Sequence, residues 1–330
     1  MKSQDPHEYG RRTAAYSKNL AEEQFLFSLN KILRHMPKLP PSACFMPPAE
    51  LPIIYVVGAP RSGTTLLSQL LSRYLPVGYI NNLIARFWAR PSVGVMLSNS
   101  VLGPAAREEI LLQSRHGVCP GAEGPHEFGY FWRYWLKLDN WPNHCLSGRA
   151  LKTLDSRGLK KALEKELLAY FGAPLVFKNI ICGLQAGYLS RLHKKSLFIY
   201  IKRDSRVAAS SILAARRKRY GSYAAWWSLK PSGYPFQGFR GDPAGEVAAQ
   251  LEGIERDLSV GLSRPGVRSV SVEYERLCSS PAKVLERVCA AISDLGYVMT
   301  PLSSKIPRLT PGHGGKISAG LQRRLREIYL

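Results

Sequence analysis

Arg61, Thr64 and Thr65 stand in the run Val56-Val-Gly-Ala-Pro-Arg-Ser-Gly-Thr-Thr-Leu-Leu-Ser-Gln-Leu-Leu71, where an apolar stretch breaks at Gly58 and a helical pattern follows Gly63. From Gly58 to Thr65 the spacing is that of the phosphate loop Gly-x-x-x-x-Gly-Lys-Ser/Thr. In such a loop the backbone N–H groups and a helix N-terminus cradle an anion, while the lysine reaches the β and γ phosphates. Thr64 stands in the lysine's place. The amides can still hold a 5′-phosphate, but the only cation in the loop is Arg61 at its crest. Ordinary ATP hydrolysis is therefore disfavoured.

A second turn of the same kind lies at Leu197-Phe-Ile-Tyr-Ile-Lys-Arg-Asp-Ser-Arg-Val-Ala-Ala-Ser-Ser-Ile-Leu-Ala-Ala215, an apolar run that breaks at charged residues and continues as a helix. Arg203 follows the run directly, and Ser211 comes two helical turns later. A guanidinium fork beside a neutral hydroxyl suits phosphate oxygens. Arg203 can alternatively pair with Asp204 or contact a helix start.

The two loops, in this order, resemble the nucleotide-binding segments of sulfotransferases that use 3′-phosphoadenosine-5′-phosphosulfate (PAPS), most closely the tyrosylprotein-type and bacterial branches. The resemblance implies that Arg61, Ser62, Gly63, Thr64 and Thr65 hold the 5′-phosphosulfate and that Arg203 and Ser211 clamp the 3′-phosphate. Further matches extend it over most of the chain. Ser271-Val-Glu-Tyr-Glu-Arg-Leu277 looks like a family segment whose tyrosine, here Tyr274, lies near the nucleotide; packing at a strand end is the alternative. Gly312-His-Gly-Gly-Lys-Ile317 resembles a basic loop that closes over the 3′-phosphate, making Gly315 and Lys316, and less directly His313, candidate contacts. The family's adjacent arginine and following tryptophan are missing there. Lys178, in Val-Phe-Lys-Asn, matches a lysine used on the transferring sulfonate, with exit to solvent as its alternative.

The implied reaction moves a sulfuryl group from PAPS to an acceptor hydroxyl of a small molecule, glycan or lipid, leaving adenosine 3′,5′-bisphosphate (PAP). Such a reaction needs alignment and charge neutralisation, and no metal. It also needs a base. Where the tyrosylprotein branch carries a Glu pair this chain has Asn81-Asn82, and asparagine cannot take a proton. Attention turns to Gly121-Ala-Glu-Gly-Pro-His-Glu-Phe-Gly-Tyr-Phe-Trp132, where Pro125 is expected at the first helical position with His126 in the first turn. A helix N-terminus disfavours imidazolium, so His126 is the first candidate base, Glu127 reads as a base or a helix-start charge, and Glu123 is the substitute. Asn81 and Asn82 are left to orient the acceptor.

The elements that must position these groups are expected as strands at 53–57, 175–178, 197–202 and 267–272, alternating with helices. This is the pattern of an α/β protein with a central parallel sheet flanked by helices, a P-loop-like fold. Residues 1–50 read as a helical extension, with periodicity from Ala14 to Met36 through Phe25, Leu29, Ile32, Leu33 and Met36, followed by a proline-rich connector. Residues 51–330 read as the sulfotransferase domain. Ser228–Asp242, rich in glycine, proline and aromatics, is expected as a long surface loop of the kind that forms a lid, with Trp226, Trp227, Tyr234, Phe236 and Phe239 either packing under it or shaping an acceptor pocket.

At 330 residues and 45% hydrophobic, the chain can bury a sizeable core. Its formal charge of +22 favours anionic partners. Nucleic acid is disfavoured, because no zinc spacing, helix-turn-helix pattern or RNA-binding aromatic signature accompanies the charge. The run Arg216-Arg-Lys-Arg219 reads as the solvated C-terminal end of a helix. Six scattered cysteines without a C-x-x-C pair suggest reduced thiols. With no apolar signal core or membrane-spanning stretch, a cytoplasmic, bacterial-type enzyme is expected, with peripheral membrane contact left open. The competing classes are a P-loop nucleotide kinase and a basic nucleotide-fold binding protein without catalysis.

Overall fold

The computed structural model describes residues 12–37, 47–114, 117–239 and 241–330. Five parallel strands form one sheet: β1 (Ile53–Val57), β2 (Gly78–Tyr79), β3 (Leu175–Lys178), β4 (Ser196–Lys202) and β5 (Arg268–Glu273), in the order β2-β3-β1-β4-β5. Every residue of β1 and β3 is buried, as their continuous apolar runs require of strands covered on both faces. Tyr55 of β1 lies in register with Phe177 and Phe198, and its ring stacks on theirs at centroid separations of 5.8 and 4.9 Å.

The chain leaves β1 for β2 and β3 on one side of the sheet, then crosses to β4 and β5 on the other. A crevice opens at the carboxyl ends of strands where such connections diverge. Because all five strands are parallel, Gly58–Gly63 after β1, Lys178 at the end of β3, Arg203 after β4 and Tyr274 after β5 all emerge at that edge.

Among the described residues seven α-helices have ten or more residues: α1 (Leu20–Leu33), α2 (Thr64–Tyr74), α3 (Pro91–Leu102), α4 (Ser205–Tyr220), α5 (Pro243–Leu262), α6 (Pro281–Ser293) and α7 (Ala319–Ile328). One face of the sheet packs on α2 and α6 through Leu67, Leu70, Leu71, Leu285, Val288 and Ile292. The other packs on α4 and α5, together with Phe131 and Trp132. The start of α4 is fixed by Asp204, whose carboxylate accepts the Val207 N–H at 2.9 Å, and its end by Gly221 in the left-handed conformation. Pro243 opens α5 and Pro281 opens α6.

The expected strands at 53–57 and 175–178 are reproduced, and the other two shift by one residue. The edge strand β2 was not anticipated, because two residues carry no periodicity. In the N-terminal extension α1 is shorter than the expected 14–36, since Asn19 caps it by accepting the N–H of Ala21 and Glu22. Its buried side is Leu26, Asn30 and Leu33, while Phe25 and Ile32 are exposed. Asn30 explains the rotation: its amide donates to the Leu26 and Arg86 carbonyls and accepts the Ala89 N–H, so a polar residue faces inward. The rest of the proline-rich connector, with Cys44, falls largely outside the described residues. Cys119, Cys145, Cys182, Cys278 and Cys289 are free thiols. No described helix is long and apolar enough to cross a membrane.

The basic run also differs from expectation. Arg216 is fully buried: it pairs with Glu246 at 2.5 Å, donates to Gln250 at 3.1 Å and lies over the Trp226 ring. A charge taken from water needs such partners, and α5 supplies them. Arg217 and Lys218 are the solvated members. The segment 228–239 is tied down on α5, with the Ser232 N–H donating to Asp257 at 2.6 Å and Gln250 donating to the carbonyls of Trp227 and Leu229. Its aromatics pack on one another, Trp226 against Tyr234 at 4.5 Å and Phe236 at 6.1 Å.

Candidate functional site

The loop after β1 closes tightly because two glycines admit neighbours that a side chain would exclude. A Cβ at Gly58 would stand 2.5 Å from the Ile201 carbonyl oxygen, and one at Gly63 would collide with the Tyr274 ring. Gly63 has φ of 104° and Arg61 of 69°, so the crest holds a non-glycine residue in the left-handed region. The N–H groups of Gly63, Thr64 and Thr65 find no acceptor among the described residues, as expected of the first turn of α2. Ser62 turns inward, buried beneath the loop, and its hydroxyl has no partner there.

Three segments distant in sequence meet at this loop. Arg61 Nε donates to Ser211 Oγ at 2.9 Å, and Arg203 Nη1 donates to the Arg61 carbonyl at 3.1 Å. Arg203 Nη2 also donates to the Gly312 carbonyl, and the Arg203 guanidinium lies 4.1 Å from the centroid of Tyr274. The Tyr274 hydroxyl accepts the Gly312 N–H at 3.1 Å. Gly315 closes the last side, its N–H donating to Ser210 Oγ at 3.3 Å. Arg61, Ser211, Arg203, Tyr274, Gly312 and Gly315 thus form one cradle.

Neither Arg61 nor Arg203 has a carboxylate partner among the described residues, and Arg203 Nε is buried without a hydrogen bond. Burial, and then the charge of Arg203, pull the Arg61 guanidinium below its ordinary pKa. Two adjacent half-buried cations beside amides with no acceptor are complementary to a polyanion. His313 and Lys316 are exposed and make no hydrogen bond among the described residues.

A second cluster lies at the end of β3. Lys178 Nζ pairs with Glu127 Oε1 at 2.6 Å and donates to the Gly117 carbonyl at 3.2 Å. A Cβ at Gly117 would stand 3.8 Å from both Glu127 Oε1 and Thr65 Oγ1 and 3.9 Å from Lys178 Nζ, so these three groups surround one point. The Lys178 side chain is 1% exposed and that of Glu127 is 50% exposed, which leaves Glu127 as the member an incoming molecule can reach. Burial raises the Glu127 carboxyl, but the charge and hydrogen bond of Lys178 outweigh it and hold Glu127 below its ordinary value.

The helix expected at Pro125 starts later, at Gly129, because Phe128 adopts a left-handed conformation and breaks the turn. Pro125 instead bridges Asn81, and the His126 N–H donates to the Ile80 carbonyl at 2.8 Å. No helix dipole therefore acts on His126 or Glu127 as a first-turn residue. Burial is what lowers His126, to about 4, with Lys178 adding to it. Its Nδ1 accepts the Phe128 N–H at 2.9 Å, so the neutral ring carries its proton on Nε2 and offers a donor to the outside.

Glu123 is folded back over Gly121, and no hydrogen bond or ion pair joins it to Lys178, Arg61 or Glu127. The Asn81 amide donates to Ser98 and accepts the Ile84 N–H, and that of Asn82 donates to the carbonyls of Cys119 and Gly121. The Asn82 side chain thus holds the 119–125 loop, and that of Asn81 holds Ser98 and the turn at Ile84. Sequence reasoning missed Ser210 and the carbonyls of Gly117 and Gly312. The Ser210-Ser211 doublet was a visible signal for the first; backbone acceptors leave none.

A model of the sulfotransferase family matches residues 52–294. The chain is similar to two solved mycobacterial sulfotransferases. One is STF1 of Mycobacterium tuberculosis, 14% identical over 97% of this chain and 82% of that one with a TM-score of 0.47. The other is STF9 of Mycobacterium avium, 14% identical over 94% and 72% with a TM-score of 0.45. The sulfotransferase domain of a Synechococcus olefin synthase is 18% identical over 78% and 75%, with a TM-score of 0.35. No curated protein matches the chain.

Proposed function

The chain belongs to the sulfotransferase family, and from that premise we propose that it transfers a sulfuryl group from PAPS to a hydroxyl of a small molecule, glycan or lipid acceptor. The observation that carries the reading is the pair of guanidiniums, Arg61 and Arg203, that have no carboxylate partner among the described residues, beside the amides of Gly63, Thr64 and Thr65, which have no acceptor there. In this reading the amides and Arg61 hold the 5′-phosphosulfate. Arg203, Ser211, Gly315 and Lys316 hold the 3′-phosphate, and Tyr274 backs the nucleotide. Ser62, buried under the loop, shapes it from below.

When bound, the nucleotide supplies an activated sulfuryl group whose S–O bond to the 5′-phosphate breaks as a new S–O bond to the acceptor oxygen forms. Lys178 offsets charge on the sulfonate side, next to Thr65. Glu127 takes the acceptor's proton, because it is ionised, half exposed and held in place by Lys178. His126 serves beside it as a donor, which revises its expected role as base, and Glu123 lies apart from the cluster.

Calorimetry with PAP, ADP and ATP tests the reading. PAP should bind most tightly, and Arg203→Ala should weaken it about 10- to 100-fold, the loss expected for charge-assisted hydrogen bonds of about 1.5–3 kcal/mol. Tighter binding of ATP with magnesium would point to a nucleotide kinase instead, and salt-sensitive polynucleotide binding without PAP preference to a basic binding protein.

A further inference from the structure

Beyond the proposed nucleotide cradle, a strap from the N-terminal extension joins the end of α4 to the helix that follows Glu127. The Thr13 N–H donates to the Arg219 carbonyl at 2.7 Å and the Thr13 hydroxyl to the Lys218 carbonyl at 2.7 Å, fixing the strap to the end of α4. At its other end Lys18 pairs with Glu23 at 3.0 Å and reaches the Tyr130 hydroxyl, in the helix that follows Glu127. Between these points Tyr16 lays its ring against Arg219, 5.1 Å from guanidinium carbon to centroid. Trp227 contacts the same guanidinium from the covering segment at 5.4 Å.

Arg219 is a cation without a counterion. Among the described residues it has no ion pair, and its Nε is buried without a hydrogen bond. The nearby carboxylate whose charge it feels, Glu127, is already bound to Lys178. Burial is the main influence that lowers the Arg219 guanidinium from its ordinary value. The strap runs from Thr13, on the Arg219 carbonyl, to Lys18, on the Tyr130 hydroxyl, so the end of α4 that carries Arg219 is tied to the segment that carries Glu127. Eight helical residues separate it from Ser211, about 12 Å along α4, which is too far along to serve the phosphates at the helix start. Arg216, one turn earlier, shows the contrast: it is buried with Glu246 and Gln250 as full partners.

We infer that the acceptor is an anion, bearing a carboxylate, sulfate or phosphate near the hydroxyl that is sulfated, and that Arg219, in contact with the rings of Tyr16 and Trp227, receives that group. Two flat rings against a guanidinium leave its edge for bidentate contact with planar or tetrahedral oxyanions. The inference rests on the sulfuryl-transfer reading. A carboxylate, a sulfate and a phosphate share this chemistry, and matched probes separate them.

The test uses the full chain, radiolabelled PAPS, and pairs of hydroxyl compounds differing in one charged group: 4-cresol with 4-hydroxyphenylacetate, methyl galactoside with methyl galacturonide, and galactose with its 6-phosphate and 6-sulfate. At least one acidic member should exceed its neutral twin tenfold in kcat/KM. Arg219→Gln should lower that ratio at least tenfold, while Arg219→Lys should keep part of it. Arg217→Gln removes the same charge from the exposed side of α4 and should leave the ratio unchanged. PAP affinity, measured on each variant, reports a folded nucleotide site. Intact PAP binding with no acidic preference, with no transfer to any acidic member, or with a preference that Arg219→Gln leaves unchanged, overturns the inference and spares the enzyme assignment. Failure of the unmodified protein to bind PAP overturns both.

Discussion

At the scale of single residues, the proposed reaction gives Glu127 the role of base for which the sequence reading puts His126 first. The Lys178 ammonium keeps Glu127 ionised near neutrality, whereas the accepting nitrogen of His126 is occupied by the Phe128 N–H. Glu127→Gln should lower kcat about 100-fold or more with PAP affinity nearly unchanged, since general-base catalysis contributes about 10²–10⁴. His126→Gln should cost less; the two are compared by steady-state kinetics, and a greater loss in His126→Gln would reverse the assignment. The convergence of Arg61, Arg203 and Tyr274 was legible in the sequence because Arg203 and Tyr274 follow directly on strands and Arg61 lies in the loop after another, and parallel strands deliver their ends to one edge. The base side was obscured by Pro125, which signals a helix start that Phe128 postpones to Gly129.

At the scale of elements, the loop after β1 and the Gly312–Ile317 segment depend on glycine in different ways. Gly63 needs its left-handed backbone and contact with Tyr274 for the start of α2 to form at all. Gly63→Ala should destabilise the fold by about 1–3 kcal/mol, seen in urea unfolding, and also abolish PAP binding. Gly315 instead lets a surface segment lie on α4, where a Cβ would collide with Ala214. Gly315→Ala should leave global stability within about 0.5 kcal/mol and weaken PAP binding, measured by calorimetry on the same preparations. The long strands were readable from continuous β-branched and aromatic runs. The buried side of α1 was not, because the inward residue is Asn30, whose three hydrogen bonds only the fold supplies.

At the scale of the whole molecule, three half-buried groups bias stability with pH. Burial lowers His126 and His144 to about 4 each, so between about 4 and 6.5 the unfolded chain binds two protons that the folded rings refuse. Burial raises Glu255 to about 7, so between about 4.5 and 7 the folded state keeps a proton that the unfolded chain releases. The two histidines outweigh the one carboxyl: stability should rise from pH 4.5 to about 6.5 and slip slightly towards 7. Urea midpoints across this range should show that maximum, and Glu255→Gln should steepen the acid limb and remove the slip above 6.5. The tail supplies a different coupling. Gly312 and Gly315 fasten the segment before α7 to Arg203, Tyr274 and Ser210, so the residues proposed to hold the nucleotide also latch that segment. A molecule entering or leaving that cradle must work against the free energy that keeps the latch shut. The tail's grip therefore sets a residence time, and loosening it should hasten product escape while weakening product retention.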